Sequence, residues 1–113
     1  MPEGPSWKVT RDPTRPQVIA TFRGTLAEAD GESSAHAFVE AMGEDRCDVV
    51  FDIRHMQRYD SGARRAWQQV LWPRRSQIAS LMVVGGNAMV SMGASMLALA
   101  LGIKASFLDE PPE

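Results

Sequence analysis

Asp60-Ser61-Gly62 sets a hydroxyl beside an acid at the start of a helical stretch, and two kinds of chemistry are open there. Asp60 or Ser61 can accept a backbone N–H and cap the helix, worth about 1 kcal/mol. The hydroxyl can also carry a phosphate. The positive end of the helix dipole and the nearby Arg64 and Arg65 would accommodate that charge without melting the helix. Around this point Arg54, Arg58, Arg64, Arg65, Arg74 and Arg75 crowd the middle of the chain, with only Asp60 opposing them between Ile53 and Ser76. Such a run suits a solvated face first and an acidic protein partner second. Nucleic acid ranks third, because few aromatics interleave with the arginines and the overall balance is acidic.

Other reactive side chains form no recognisable site. Asp48, Asp52, His55 and Asp60 lie close in sequence but give no nucleophile–base–orienter pattern. Neither His36, His55 nor Cys47 has the local spacing of a zinc site. No catalytic residue, metal or cofactor is therefore expected, and His55 reads as a surface loop residue. Cys47, the lone cysteine, opens an apolar strand and reads as a small buried hydrophobe in a reducing compartment. Gly85-Gly86-Asn87 lacks the dinucleotide fingerprint and the lysine of a phosphate loop, so it reads as a tight turn capped by Asn87.

The elements that must position these residues follow from periodicity. Trp7–Thr10 and Val18–Arg23 read as a hairpin of strands around the turn chemistry of Asp12–Pro16, with Gly24-Thr25 ending the second. Ala35, Phe38, Val39 and Met42 mark a helix that begins near Glu28, Asp30 and Glu32 and stops at Gly43. Val49-Val50-Phe51 reads as a central strand covered on both faces, followed by a loop from Arg54 to Tyr59. Ala63, Ala66, Trp67, Val70 and Leu71 form one face of a second helix broken at Pro73. Ile78–Val84 is a further strand, Ala88–Leu101 a third helix and Lys104–Leu108 a short last strand. This order predicts a single α/β domain over residues 6–109, with flexible tails at 1–5 and 110–113. Its sheet has four to five mostly parallel strands, an antiparallel N-terminal hairpin and about three helices.

At 113 residues with a net charge of −2, the chain suits one modest core, and the charge gives no argument for nucleic acid. The most apolar segment, Ala88–Ile103, is interrupted by Ser91, Gly93, Ser95 and Gly102 and is too short to cross a bilayer comfortably. With no secretory signal at the N-terminus, a soluble cytoplasmic protein is expected. The third helix is apolar on nearly all sides, which suits self-association or partner docking through Met89, Met92, Met96 and Leu99 first, ordinary core burial second and an apolar ligand third. Trp67 reads as core; Trp72, beside Pro73, reads first as partly packed on the core and second as a partly exposed interface anchor.

An apolar strand ending in Asp52, then a loop, then Asp60-Ser61-Gly62 opening a helix resembles the STAS or anti-sigma-factor-antagonist family, in its divergent bacterial STAS/SEC14-like group. The element order agrees over nearly the whole chain. Family members carry an aspartate, two hydroxyl residues and a glycine at the second motif, and here one hydroxyl is missing. Aligned on Gly62, Ser61 falls on the family's phosphorylated position; aligned on Asp60, it falls on the neighbouring one. The resemblance implies a non-enzymatic interaction module, a signalling or scaffolding subunit switched at Ser61. Its partner would be a protein, such as a kinase or signalling complex, and it would meet Arg54, His55, Arg58, Tyr59, Asp60, Arg64, Arg65 and Trp72. The alternative from another class is a carrier of a lipid or small apolar ligand, with a cavity lined by Met89, Met92, Met96 and Trp67.

Overall fold

Alternating burial along the strands sets the architecture. In the computed structural model, which describes residues 3–110, β1 (Trp7–Arg11) pairs antiparallel with β2 (Gln17–Leu26). β2 is followed by α1 (Glu28–Met42) and β3 (Cys47–Tyr59), then by α2 (Ser61–Leu71) and a 3-10 turn at Trp72–Gln77. β4 (Ile78–Val84), α3 (Ala88–Leu101) and β5 (Ala105–Leu108) complete the chain. The five strands lie in sequence order, with every pair after the first parallel. The expected α/β domain, hairpin and helices are all present. Residues 3–5 extend the hairpin edge, where Glu3 bridges Lys8 and the Gly4 N–H donates to the Trp7 carbonyl at 2.8 Å.

Strand order decides where the helices go. Strand–helix–strand crossovers are right-handed almost without exception. Because β2, β3, β4 and β5 follow one another across the sheet, each crossover steps the same way, and all three helices fall on one face. Burial agrees. Val18, Ala20 and Phe22 of β2, Val49, Phe51 and Ile53 of β3, and Leu81 and Val83 of β4 join one core with Phe38, Trp67 and Leu97 from the helices. The opposite face carries Ile19, Val50 and Met82 in register, each half-buried. The expectation that β3 is covered on both faces is thus corrected: Val50 lies on a sheet face that no helix covers.

Two further boundaries differ from expectation. Arg54–Tyr59 is strand and not loop, because β2 also continues past Gly24-Thr25 to Leu26 and supplies its partners, pairing Arg23 with His55 and Leu26 with Tyr59. The register shifts on either side of Gly24, whose φ of +65° suits glycine at a bulge. α2 does end before Pro73, but the chain then tightens into the 3-10 turn.

The helices are seated by an aromatic cluster. Trp67 lies 5.8 Å from Phe22, 5.1 Å from Phe38 and 5.2 Å from Phe51, centroid to centroid. Its indole N–H donates to Ser34 Oγ at 3.0 Å, and the Ser34 hydroxyl donates to the Gly31 carbonyl at 3.0 Å. At Gly31 the backbones of α1 and α2 approach closely, since an added Cβ would lie 2.5 Å from Ala63 Cα. Gly31→Ala should therefore destabilise the fold by about 1–3 kcal/mol, the usual range for overpacking, despite alanine's better helix propensity. Urea denaturation checks this, and a variant as stable as wild type would show that the helices can separate at no cost.

Candidate functional site

β3 delivers the chain to the N-terminus of α2, and the Asp60 N–H ties that junction to the Leu26 carbonyl at the end of β2, at 2.9 Å. Ser61 follows as the first residue of α2, and its side chain is exposed. Neither expected cap forms: Asp60 holds the N-cap position with no side-chain hydrogen bond, and the Ser61 hydroxyl instead meets Arg65 Nη2 at 3.5 Å. The anionic place at this helix end is taken from another element. Glu28, in the first turn of α1, lays its carboxylate against Gly62, in the space a Cβ would fill. A carboxylate there is favoured by the helix dipole.

The middle-chain arginines divide into two groups. Arg54 clasps Asp52 on the uncovered sheet face, with Nε to Oδ1 at 2.9 Å and Nη2 to Oδ2 at 2.7 Å. Arg74 donates to the Gly43 carbonyl at 2.9 Å, and Arg75 stacks 3.8 Å above the Trp72 ring while donating to the Trp72 carbonyl. These three serve the fold. Arg58, Arg64 and Arg65 make no ion pair among the described residues, and all three lie within four residues of Ser61. Arg58, Tyr59, Asp60, Ser61, Arg64 and Arg65 thus follow one another at the β3–α2 junction, where Arg65 touches Ser61 and lies in the groove beside α1 while Tyr59 and Arg64 line the cavity on the α3 side. Arg54 and His55 lie further back along β3. Trp72, 48 % exposed, follows the far end of α2, about 16 Å away along the helix axis.

Tyr59 turns inward and packs its ring against Gly93 of α3. Behind it is a cavity of about 60 Å³ between the sheet, α2 and α3, lined by Phe22, Phe51, Met56, Trp67 and Leu97, with Tyr59 and Arg64 also in the wall. The cavity expected from the sequence is corrected in its lining. Trp67 contributes, but Met89, Met92 and Met96 are exposed on the opposite side of α3. No periodicity in the sequence signals this space, which arises where α3 packs beside α2.

Asn87 caps α3 as expected, accepting the Val90 N–H at 2.9 Å, and its amide donates to the Gln57 carbonyl at 3.0 Å. That second bond ties the start of α3 to the end of β3. Cys47 is fully buried, and burial pushes its thiol pKa up. Among the described residues no cluster of histidine, cysteine and carboxylate side chains could hold a metal, and no helix is long and apolar enough to cross a membrane.

No family model and no curated protein matches the sequence. Solved structures do. One is an uncharacterized protein from the DUF3478 family with a SpoIIAA-like fold, from Shewanella loihica PV-4, with a TM-score of 0.70 and 10% identity over 97% of this chain and 92% of that one. Another is the anti-sigma factor antagonist SpoIIAA in its unphosphorylated form, with a TM-score of 0.53 and 10% identity over 94% of this chain and 90% of that one. The chain therefore has a SpoIIAA-like fold.

The Asp52–Arg54 clasp gives the uncovered face a pH signature. The Arg54 side-chain hydrogen bond, ahead of its charge, holds the Asp52 carboxyl below the usual carboxylate range. Its contribution to stability is complete above the unfolded-state pKa, about 4, and is lost as pH falls through the lower folded value. Asp52→Asn should be less stable than wild type at pH 7, with the gap closing toward pH 3. Urea midpoints across that range test this, and a gap independent of pH would rule the clasp out as its source.

Proposed function

We propose that this chain is a non-enzymatic, cytoplasmic protein–protein interaction module of STAS type, a signalling or scaffolding subunit switched by phosphorylation at Ser61. The observation that carries this reading is the exposed Ser61 hydroxyl in contact with Arg65, with Arg58 and Arg64 three residues away in sequence on either side and none of the three in an ion pair among the described residues. Three guanidinium groups without a carboxylate partner among the described residues suit an acidic protein surface, and arginine suits it better than lysine because its planar fork binds carboxylates in pairs. The partner class is a kinase or another component of a signalling complex, with a second copy of the chain held through α3.

A phosphate on Ser61 would add about −1.5 to −2 charge units beside Arg65. The same phosphate would face the Glu28 carboxylate, which already lies at this helix end. The modification would thus bring Arg65 toward the phosphate and push Glu28 away, changing the charge and shape of the corner while the helix stays folded. Crosslinked affinity capture from the native cell, quantified by mass spectrometry, should show a partner gained or lost on Ser61→Asp, with Ser61→Ala behaving differently from the aspartate variant. Identical partner sets for all three proteins, with circular dichroism unchanged, would reduce Ser61 to a surface residue.

A second reading, a carrier of a small apolar ligand, draws on the cavity behind Tyr59. Its lining is almost wholly apolar, and Arg64 brings a cationic group to the wall. Its volume of about 60 Å³ is well below the roughly 300 Å³ at which drug-sized sites begin, so a lipid chain would need α3 to move. Native mass spectrometry after gentle purification separates the readings. A co-purifying small molecule lost on Gly93→Leu supports the carrier, and an unliganded chain leaves the interaction module alone.

A further inference from the structure

α3 has two apolar faces. Val90, Gly93, Leu97, Ala98 and Leu101 are buried toward the core. Met89, Met92, Met96 and Leu99 point the other way and are 53, 63, 43 and 82% exposed. No charged side chain interrupts Ala88–Leu101. A surface helix ordinarily turns its polar residues to water, and this one turns thioethers and a leucine.

The spacing of the exposed residues is three, four, three, the seam of two helices packed side by side. That pattern reads the same from either end. A two-fold axis level with Ala94 would set Met89 against Leu99 of the partner subunit and Met92 against the partner's Met96. This is the self-complementarity that a symmetric dimer requires, and antiparallel helices also oppose their dipoles favourably. We propose that α3 packs against α3 of a second copy in this antiparallel register. The proposal deepens the self-association reading and does not depend on Ser61.

Area favours a protein occupant. The four side chains expose on the order of 400–500 Å², as large as the largest apolar patch on an ordinary monomer. Trp72, about half exposed, lies in the groove beside Leu99 and Ile103 and extends the patch at the foot of the helix. Two such faces together bury roughly 1,000 Å², where specific interfaces begin. A lipid surface is the weaker match. Interfacial helices flank their apolar face with lysine and arginine; α3 has neither, and the chain's net charge is −2. Methionine suits the crossing because its flexible thioether adapts to a copy of itself.

Sedimentation equilibrium at micromolar concentrations should give wild type twice the 12.4 kDa of one chain. Met92→Glu and Met96→Lys should each halve that mass. Circular dichroism should stay unchanged, because both positions face solvent in the single chain. An equimolar mixture of the two variants should recover the dimer, since one crossing then pairs carboxylate with ammonium and the other keeps two methionines. Wild type at the single-chain mass throughout would overturn self-association, whatever Ser61 does. A wild-type dimer indifferent to both substitutions, or a mixture that stays dissociated, would overturn the α3 register. A monomer that floats with phosphatidylcholine vesicles would assign the face to a membrane and overturn the dimer.

Discussion

The unbroken strand order is the constraint from which the rest follows. Each right-handed crossover from β2 onward moves one strand further in the same direction, so three helices must share one face of a five-stranded sheet. The sequence never reverses across the sheet, so there is none of the crevice at which doubly wound folds bind ligands between diverging loops. Instead, the C-terminal ends of β3 and β4 deliver α2 and α3 to the same edge, and the Asn87–Gln57 hydrogen bond locks those deliveries together. The other face is left with Ile19, Val50 and Met82 flanked by the Asp52–Arg54 clasp, half-covered by their own neighbours. Parallel strands rarely tolerate that exposure, and a charged clasp along β3 keeps the apolar stripe narrow.

Within the shared face, Trp67 fixes how the helices sit. Its ring meets Phe22 and Phe51 from the sheet and Phe38 from α1, so one side chain of α2 touches two other layers of the core. Burying an indole also buries its N–H, which would cost about 1–3 kcal/mol if left unpaired. Ser34 removes that cost from within α1 and donates its own hydroxyl hydrogen bond to the Gly31 carbonyl. Rotating α1 would break both the hydrogen bond and the Gly31–Ala63 approach. The α1–α2 pair is therefore rigid, while α3, whose neighbour on one side is α2, leaves a cavity on its inner face and methionines on its outer one.

Much of this was legible in the sequence wherever the information was local. The hairpin, the element order, the caps at Gly43 and Asn87, and the buried faces of α1 and α2 follow from periodicity and turn residues. What was hidden depends on partners distant in sequence. His55-Met56-Gln57-Arg58 looks like loop because three of its four residues are polar, and it becomes strand only because β2 runs on through its bulge to pair with it. Val50 looks doubly buried because Val49 and Phe51 flank it, and the direction of the crossovers, not the apolar run, exposes it. Ser34 carries no signal in the sequence, and its role comes from Trp67, which needs an acceptor. At the candidate site, Ser61 and its arginines were visible, but Glu28 was not. It arrives from α1, and it explains why no side chain of Asp60 or Ser61 caps α2.

The division of the arginines sharpens what each surface can do. Arg54, Arg74 and Arg75 have internal partners, so replacing them would disturb the fold before it disturbed recognition. Arg58, Arg64 and Arg65 make no ion pair among the described residues, and Arg65 reaches only the Ser61 hydroxyl, so their charge is uncompensated near the start of α2. The start of α3 lies at that same edge, whereas Leu99 and Trp72 lie at the far one. If two copies join through α3 in parallel, both Ser61 corners lie side by side and repel through their arginines. Joined antiparallel, the corners lie at opposite ends, separated by the length of the α3 pair, about 21 Å for a helix of 14 residues. That distance exceeds the Debye length of about 8 Å at physiological salt, so the cationic corners no longer oppose dimerisation. The register that matches the methionines is thus also the one that electrostatics permits, and it would leave the two Ser61 corners facing away from each other.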